Sequence, residues 1–85
     1  MKVVLHKKFE KAFGKLPTKV IKQAIDRLEL FVEDPTSQVL RKHALNSPYK
    51  GSFSIDITGN YRAVFHLVEK DIALFTHIGT HSKLY

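Results

Sequence analysis

A chain of 85 residues is long enough for one domain and too short for two, so residues 1–85 are read as a single unit. With 44% hydrophobic and 11% aromatic residues it is globular in composition, and the absence of cysteine excludes disulfides, thiolate metal sites and thiol nucleophiles. No stretch approaches the ~20 apolar residues of a membrane span, the opening apolar run is too short for a signal peptide, and 14 basic against 8 acidic residues leave a net charge of +6. The expected setting is a reducing cytoplasm, and the expected partners are polyanions.

Residues 3–6 are a short apolar run, predicted as a first strand. Phe9, Ala12, Phe13 and Leu16 then recur at helical spacing, with Lys7, Lys8, Lys11 and Lys15 between them. Gly14 weakens that helix and Pro17 ends it. A second helix is predicted over 17–34, with Val20 or Ile21, Ala24, Leu28, Phe31 and Val32 as its apolar stripe. Pro35 stops it, because the residue before proline avoids the helical region. So short a break between two helices predicts an antiparallel hairpin.

Residues 35–52 read as irregular, punctuated by Pro35, Pro48 and Gly51. The period then changes to two: Phe53, Ile55 and Ile57 alternate with Ser54 and Asp56. Thr58, Gly59 and Asn60 form a turn. Two more strands are predicted over 61–68 and 71–79, separated by the polar Glu69 and Lys70. The fold class is therefore α+β: a small antiparallel sheet with a two-helix hairpin on one face, in the order β-α-α-β-β-β.

The pattern also predicts a register. Tyr61, Ala63, Phe65 and Leu67 are the more apolar set of their strand, so Ile57 should face Tyr61 across a three-residue loop in which Gly59 or Asn60 takes a positive φ. A two-residue loop would bury Arg62 beside Ile57. A hairpin turning at Glu69 and Lys70 would set Leu67 opposite Ile72 and Phe65 opposite Leu74. The other face would then carry Ser54, Asp56, Arg62, Val64, His66, Phe75 and His77, with Asp56, Arg62 and His77 side by side. On a solvent-facing sheet such a row is either an ordinary ion pair or a site.

The segments Tyr61-Arg62-Ala63-Val64-Phe65-His66 and Ile78-Gly79-Thr80-His81-Ser82-Lys83-Leu84-Tyr85 resemble the second half of toxins of the RelE/ParE superfamily, the YafQ branch above all. Leu40-Arg41-Lys42-His43-Ala44-Leu45 and Tyr49-Lys50-Gly51 resemble the preceding stretch of that branch. The resemblance implies two helices over a small sheet, and a toxin of a type II toxin–antitoxin pair that cleaves mRNA on the ribosome without a metal or other cofactor. It implies roles by position: His43 in activity, Arg62 as the arginine that stabilises the phosphate in the transition state, His81 as general acid, and Tyr85 as a C-terminal aromatic that orients RNA. Asp56 departs from the branch, which has a histidine there, and Asn60 stands where the branch has an aspartate.

Such cleavage needs a base for the 2′-hydroxyl, a cation for the charged phosphorane and an acid for the leaving 5′-oxygen. Histidine suits the proton roles and arginine the phosphate. The assignment is Arg62 as clamp, His81 as acid, and His43 or Asp56 as base, with Asp56 alternatively orienting Arg62. Arg41, Lys42, Lys50 and His77 are candidate RNA contacts, and Lys8, Lys11, Lys15 and Lys22 candidate contacts to ribosomal phosphates. His6 and His66 read as structural or merely exposed. No metal site is expected, because His77 and His81 lack the remaining ligands. The expected protein partner is an acidic antitoxin, and no membrane partner is expected. Two rivals remain: a ParE-like toxin that poisons a topoisomerase, and an inert member that only pairs with an antitoxin.

Overall fold

In a computed structural model, which describes residues 1–84 (Lys83 by its backbone alone), the opening apolar run is strand β1, Lys2–Leu5. His6 then caps helix α1, Lys7–Phe13: its Nδ1 accepts from the Lys8 backbone N–H at 3.0 Å. Helix α2, Thr18–Glu33, begins after Pro17 and ends where Asp34 turns extended ahead of Pro35. Val20, Ala24 and Phe31 are its buried stripe, whereas Val32 stays 43% exposed.

The stretch read as irregular contains a 3₁₀ turn, Gln38–Leu40, and a two-residue strand β2, His43–Ala44. Leu40 anchors the turn in the core with no exposed surface. Neither element was legible in the sequence, because so short a strand carries no period. Strands β3, Phe53–Asp56, β4, Tyr61–Glu69, and β5, Ile72–Thr80, follow, and a short helix α3, His81–Leu84, ends the described chain.

The five strands form one sheet in the order β1-β5-β4-β3-β2. It is mixed: β1 runs parallel to β5, and every other pairing is antiparallel. The predicted β3–β4 register holds, with Asp56 opposite Arg62, Ile55 opposite Ala63 and the Ile57 N–H donating to the Tyr61 carbonyl at 2.9 Å. Its turn closes differently. Neither Gly59 nor Asn60 takes a positive φ; the Thr58 hydroxyl instead accepts from the N–H groups of Asn60 and Tyr61 at 3.2 and 3.1 Å.

The β4–β5 register differs from the expectation. The turn is Lys70 and Asp71, and Thr76 and Val68 are extra residues at two bulges. Phe65 therefore faces Phe75, not Leu74, and Leu67 faces Ala73, not Ile72. The bulge at Thr76 flips the strand so that Phe75 enters the core and Leu74 moves to the other face beside His66. The reason lies in the helices. Phe9 from α1 and Phe31 from α2 both meet the Phe75 ring, at 5.8 and 5.3 Å, and Phe65 lies 5.0 Å from it. A phenyl ring fills that junction where leucine would leave a void.

Candidate functional site

The sheet face away from the helices carries two neighbouring rows. One runs Asp56, Arg62, Gly79 across β3, β4 and β5. The other runs His43, Ser54, Val64, His77 from β2 to β5. His77 thus shares the face with Arg62 but is not beside it, as the sequence pattern had implied; Gly79 stands opposite Arg62, and His77 is the diagonal neighbour. The bulge sits at Thr76, so β5 keeps the alternation from His77 to Gly79 that puts both on this face.

Asp56 is the electrostatic centre of its row. Its Oδ1 accepts from Arg62 Nε at 3.3 Å, and its Oδ2 lies 3.6 Å from Arg41 Nε. The Asp56 and Arg62 side chains are mostly shielded, with 16% and 18% of their surface exposed, whereas Arg41 is 78% exposed. Arg41 reaches Asp56 from a left-handed backbone, φ 49, at the end of the 3₁₀ turn. For a residue with a Cβ that conformation is uncommon, and here it brings a second guanidinium to the same carboxylate.

His43 is engaged at both ring nitrogens. Its Nδ1 lies 2.9 Å from the Arg41 carbonyl, and its Nε2 3.1 Å from Ser54 Oγ. A carbonyl only accepts, so Nδ1 carries the proton and Nε2 accepts from the Ser54 hydroxyl. Ser54 is fully buried, so this pair ties β2 to β3 and presents no open nucleophile.

This face is partly covered. The tight loop 45–52 holds itself by the Leu45 N–H to the Ser52 carbonyl at 3.0 Å, and carries Tyr49 edge-on to the His77 ring at 5.3 Å. At the other end Leu84 of α3 packs over Gly79, 3.8 Å from where a Cβ would stand. Between these covers, burial holds the His77 imidazole below its usual 6.5, helped by the positive charge of Lys8 and then by His6. His81 is exposed where β5 ends; its backbone N–H donates to the Asn60 carbonyl at 3.0 Å, and it lines a hollow with Asn60, Thr80 and Ser82.

The fold therefore gathers Arg41, His43, Asp56, Arg62, His77 and His81 on one face and its end. Lys42 is not among them: its ammonium sits 5.6 Å over the ring of Phe53, which belongs to the core side. Lys50 is exposed on the covering loop, and Tyr85 lies outside the described residues. Sequence reasoning put Ser54 on this face by alternation but gave it no role, and it assigned none to Tyr49 or Thr76. Thr76 carried no signal, because a bulge leaves no mark in the period. Among the described residues no three of histidine, aspartate and glutamate stand together as a metal site.

No family model matches the chain, and no significant relative is found among curated sequences. Solved structures do match over nearly its whole length. YafQ from Escherichia coli is similar with a TM-score of 0.79 at 20% identity, covering 99% of this chain and 97% of that one. A YoeB/ParE toxin from Agrobacterium tumefaciens matches with a TM-score of 0.77 at 15% identity, over 95% of this chain and 99% of that one. A mutant toxin from Helicobacter pylori matches with a TM-score of 0.67 at 26% identity, over 100% and 99%. With its two helices over a five-stranded mixed sheet, the chain has the fold of the RelE/YafQ-like toxins.

Proposed function

We propose that this chain is the toxin of a type II toxin–antitoxin pair and that it inhibits translation by cutting mRNA on the ribosome. The observation that carries the reading is the Arg62 guanidinium, held by Asp56 on a face that also bears imidazoles, with His81 at its end. A guanidinium so held offers its planar fork to a phosphate without first having to be ordered. His81, exposed at the end of β5, takes the role of acid toward the leaving 5′-oxygen. Asp56, paired with two guanidinium groups, serves by orienting Arg62. Arg41 and Lys50 extend the cationic surface toward RNA, and Tyr85 is the proposed aromatic contact at the chain end.

The similar E. coli YafQ has been solved in a toxin–antitoxin complex with DinJ, which supports an antitoxin partner here. A net charge of +6 favours an acidic one. The cytoplasm, where ribosomes and antitoxin meet the chain, is the proposed place of action. The test is induction in a bacterial cell with the 5′ ends of cellular mRNA mapped. Cuts at a fixed offset within translated codons, lost in Arg62→Ala, are expected. Growth arrest without cuts would replace the reading with a topoisomerase-directed toxin, and no arrest would leave an antitoxin-binding module.

A further inference from the structure

We infer that His77 is the base of this cleavage, accepting the 2′-hydroxyl proton on Nε2 while Arg62 holds the phosphate; the inference rests on the function proposed above. Three features of the site carry it.

The first is a partner for Nδ1. Thr76, the extra residue of the β5 bulge, places its hydroxyl 3.4 Å from the Val64 carbonyl and 2.9 Å from His77 Nδ1. With its own proton directed to the carbonyl, Thr76 Oγ1 can accept from Nδ1–H. In that arrangement Nε2 keeps its lone pair, the form a general base requires. Thr76 is a positioning residue in this arrangement.

The second is place. Arg62 faces Gly79, and His77 is the diagonal neighbour on the same face, two residues back along β5. Diagonal partners of an antiparallel pair stand about 7–8 Å apart, the span of a bound phosphate and its 2′-oxygen rather than of a direct ion pair. His81, two residues past Gly79, opens α3 where β5 ends and lines the hollow with Asn60, Thr80 and Ser82.

The third is the commitment of the other candidates. His43 Nε2 already accepts from the buried Ser54 hydroxyl, and the Asp56 carboxylate is held by Arg62 and Arg41. The groups around His77 are Lys8 of α1 and His6 at its cap, which act on it through their charge, with Tyr49 of the covering loop, Val64 across the strand and Arg62 on the diagonal. Burial first, then Lys8 and His6, disfavour the imidazolium.

In the step, the 2′-oxygen gives its proton to Nε2 and bonds to phosphorus. The bond from phosphorus to the 5′-oxygen breaks, and that oxygen takes a proton from His81. The products are a 2′,3′-cyclic phosphate and a 5′-hydroxyl; His77 ends as imidazolium, His81 as imidazole, and water resets both.

The experiment is single-turnover cleavage of a short synthetic mRNA on translating ribosomes, followed across pH. The wild-type rate should rise with pH through a midpoint below 6.5. His77→Asn should slow cleavage by about 10²–10⁴-fold and remove that rise. Lys8→Glu replaces a neighbouring positive charge with a negative one, so it should move the midpoint to higher pH whatever it does to RNA affinity. An unshifted midpoint in Lys8→Glu overturns the assignment even if His77 variants fail to fold, as does a folded His77→Asn that keeps the wild-type rate and limb. If the wild type cleaves nothing at any pH, the proposed function falls, and the base with it.

Discussion

Asp56 shows how a single residue makes a charged site compatible with a small domain. Both ends of its pair with Arg62 are mostly shielded, so each needs the other as counter-ion. Asp56→Asn is expected to cost about 1–2 kcal/mol in chemical unfolding, below the ~3–5 kcal/mol of a fully buried pair because water still reaches both groups. Under the proposed function cleavage should fall with it, since Arg62 loses the carboxylate that holds it. Arg41 shares the carboxylate at 3.6 Å but is largely in solvent, and Arg41→Ala should change stability by less than about 0.5 kcal/mol. Comparable losses in the two variants would contradict this account of the pair. Asp56 and Arg62 were legible in the sequence as a cross-strand pair, because a three-residue loop was the only way to keep Arg62 out of the core. The link from Arg41 was not, since it depends on a left-handed residue that no composition rule marks.

Among the elements, the bulge in β5 decides most. It turns Phe75 inward against Phe9, Phe31 and Phe65 while leaving His77 and Gly79 on the site face. Phe75→Ala is expected to cost about 3–5 kcal/mol, close to the whole stability of a domain this size, and to abolish a cooperative unfolding transition. Leu74→Ala, at a half-buried position on the other face, should cost about 1 kcal/mol and leave the transition intact. Denaturant titration of both variants would reverse this order if β5 ran without the bulge. Strict alternation along 72–80 hid the feature: an uninterrupted period of two assigns Leu74, not Phe75, to the core.

At the scale of the whole molecule, one sheet serves both stability and site, with helices on one face and the loop 45–52 and α3 lying over parts of the other. Half-burying a histidine links the two by pH. The folded state depresses His77 below 6.5, so its contribution to stability is present above that value and is lost as pH falls through the lowered one. The Tm should therefore drop on acidification from about pH 7 to about pH 5, and His77→Asn should drop less. An equal drop in both would assign the acid sensitivity elsewhere. The Lys residues spread along the chain add a diffuse positive field rather than a second site, with Lys42 spent against Phe53.

Periodicity and punctuation were sufficient to read from the sequence two helices before three paired strands, the β3–β4 register and the presence of Asp56 and Arg62 on the face opposite the helices. These are local matters: side-chain alternation, proline stops and the penalty for burying a guanidinium each act within a few residues. The resemblance of residues 40–85 to the toxin family added candidate roles to that frame. Tertiary packing alone decided the rest. It added β1 in parallel beside β5 and β2 at the far edge, flipped β5 about Thr76 to seat Phe75, and turned Lys42 to the core side. It also folded Tyr49 over His77 and set the Thr76 hydroxyl beside that ring's Nδ1. Each of these depends on surfaces brought together from distant parts of the chain, where the gain from filling one aromatic junction outweighs the local preference of a strand for regular alternation.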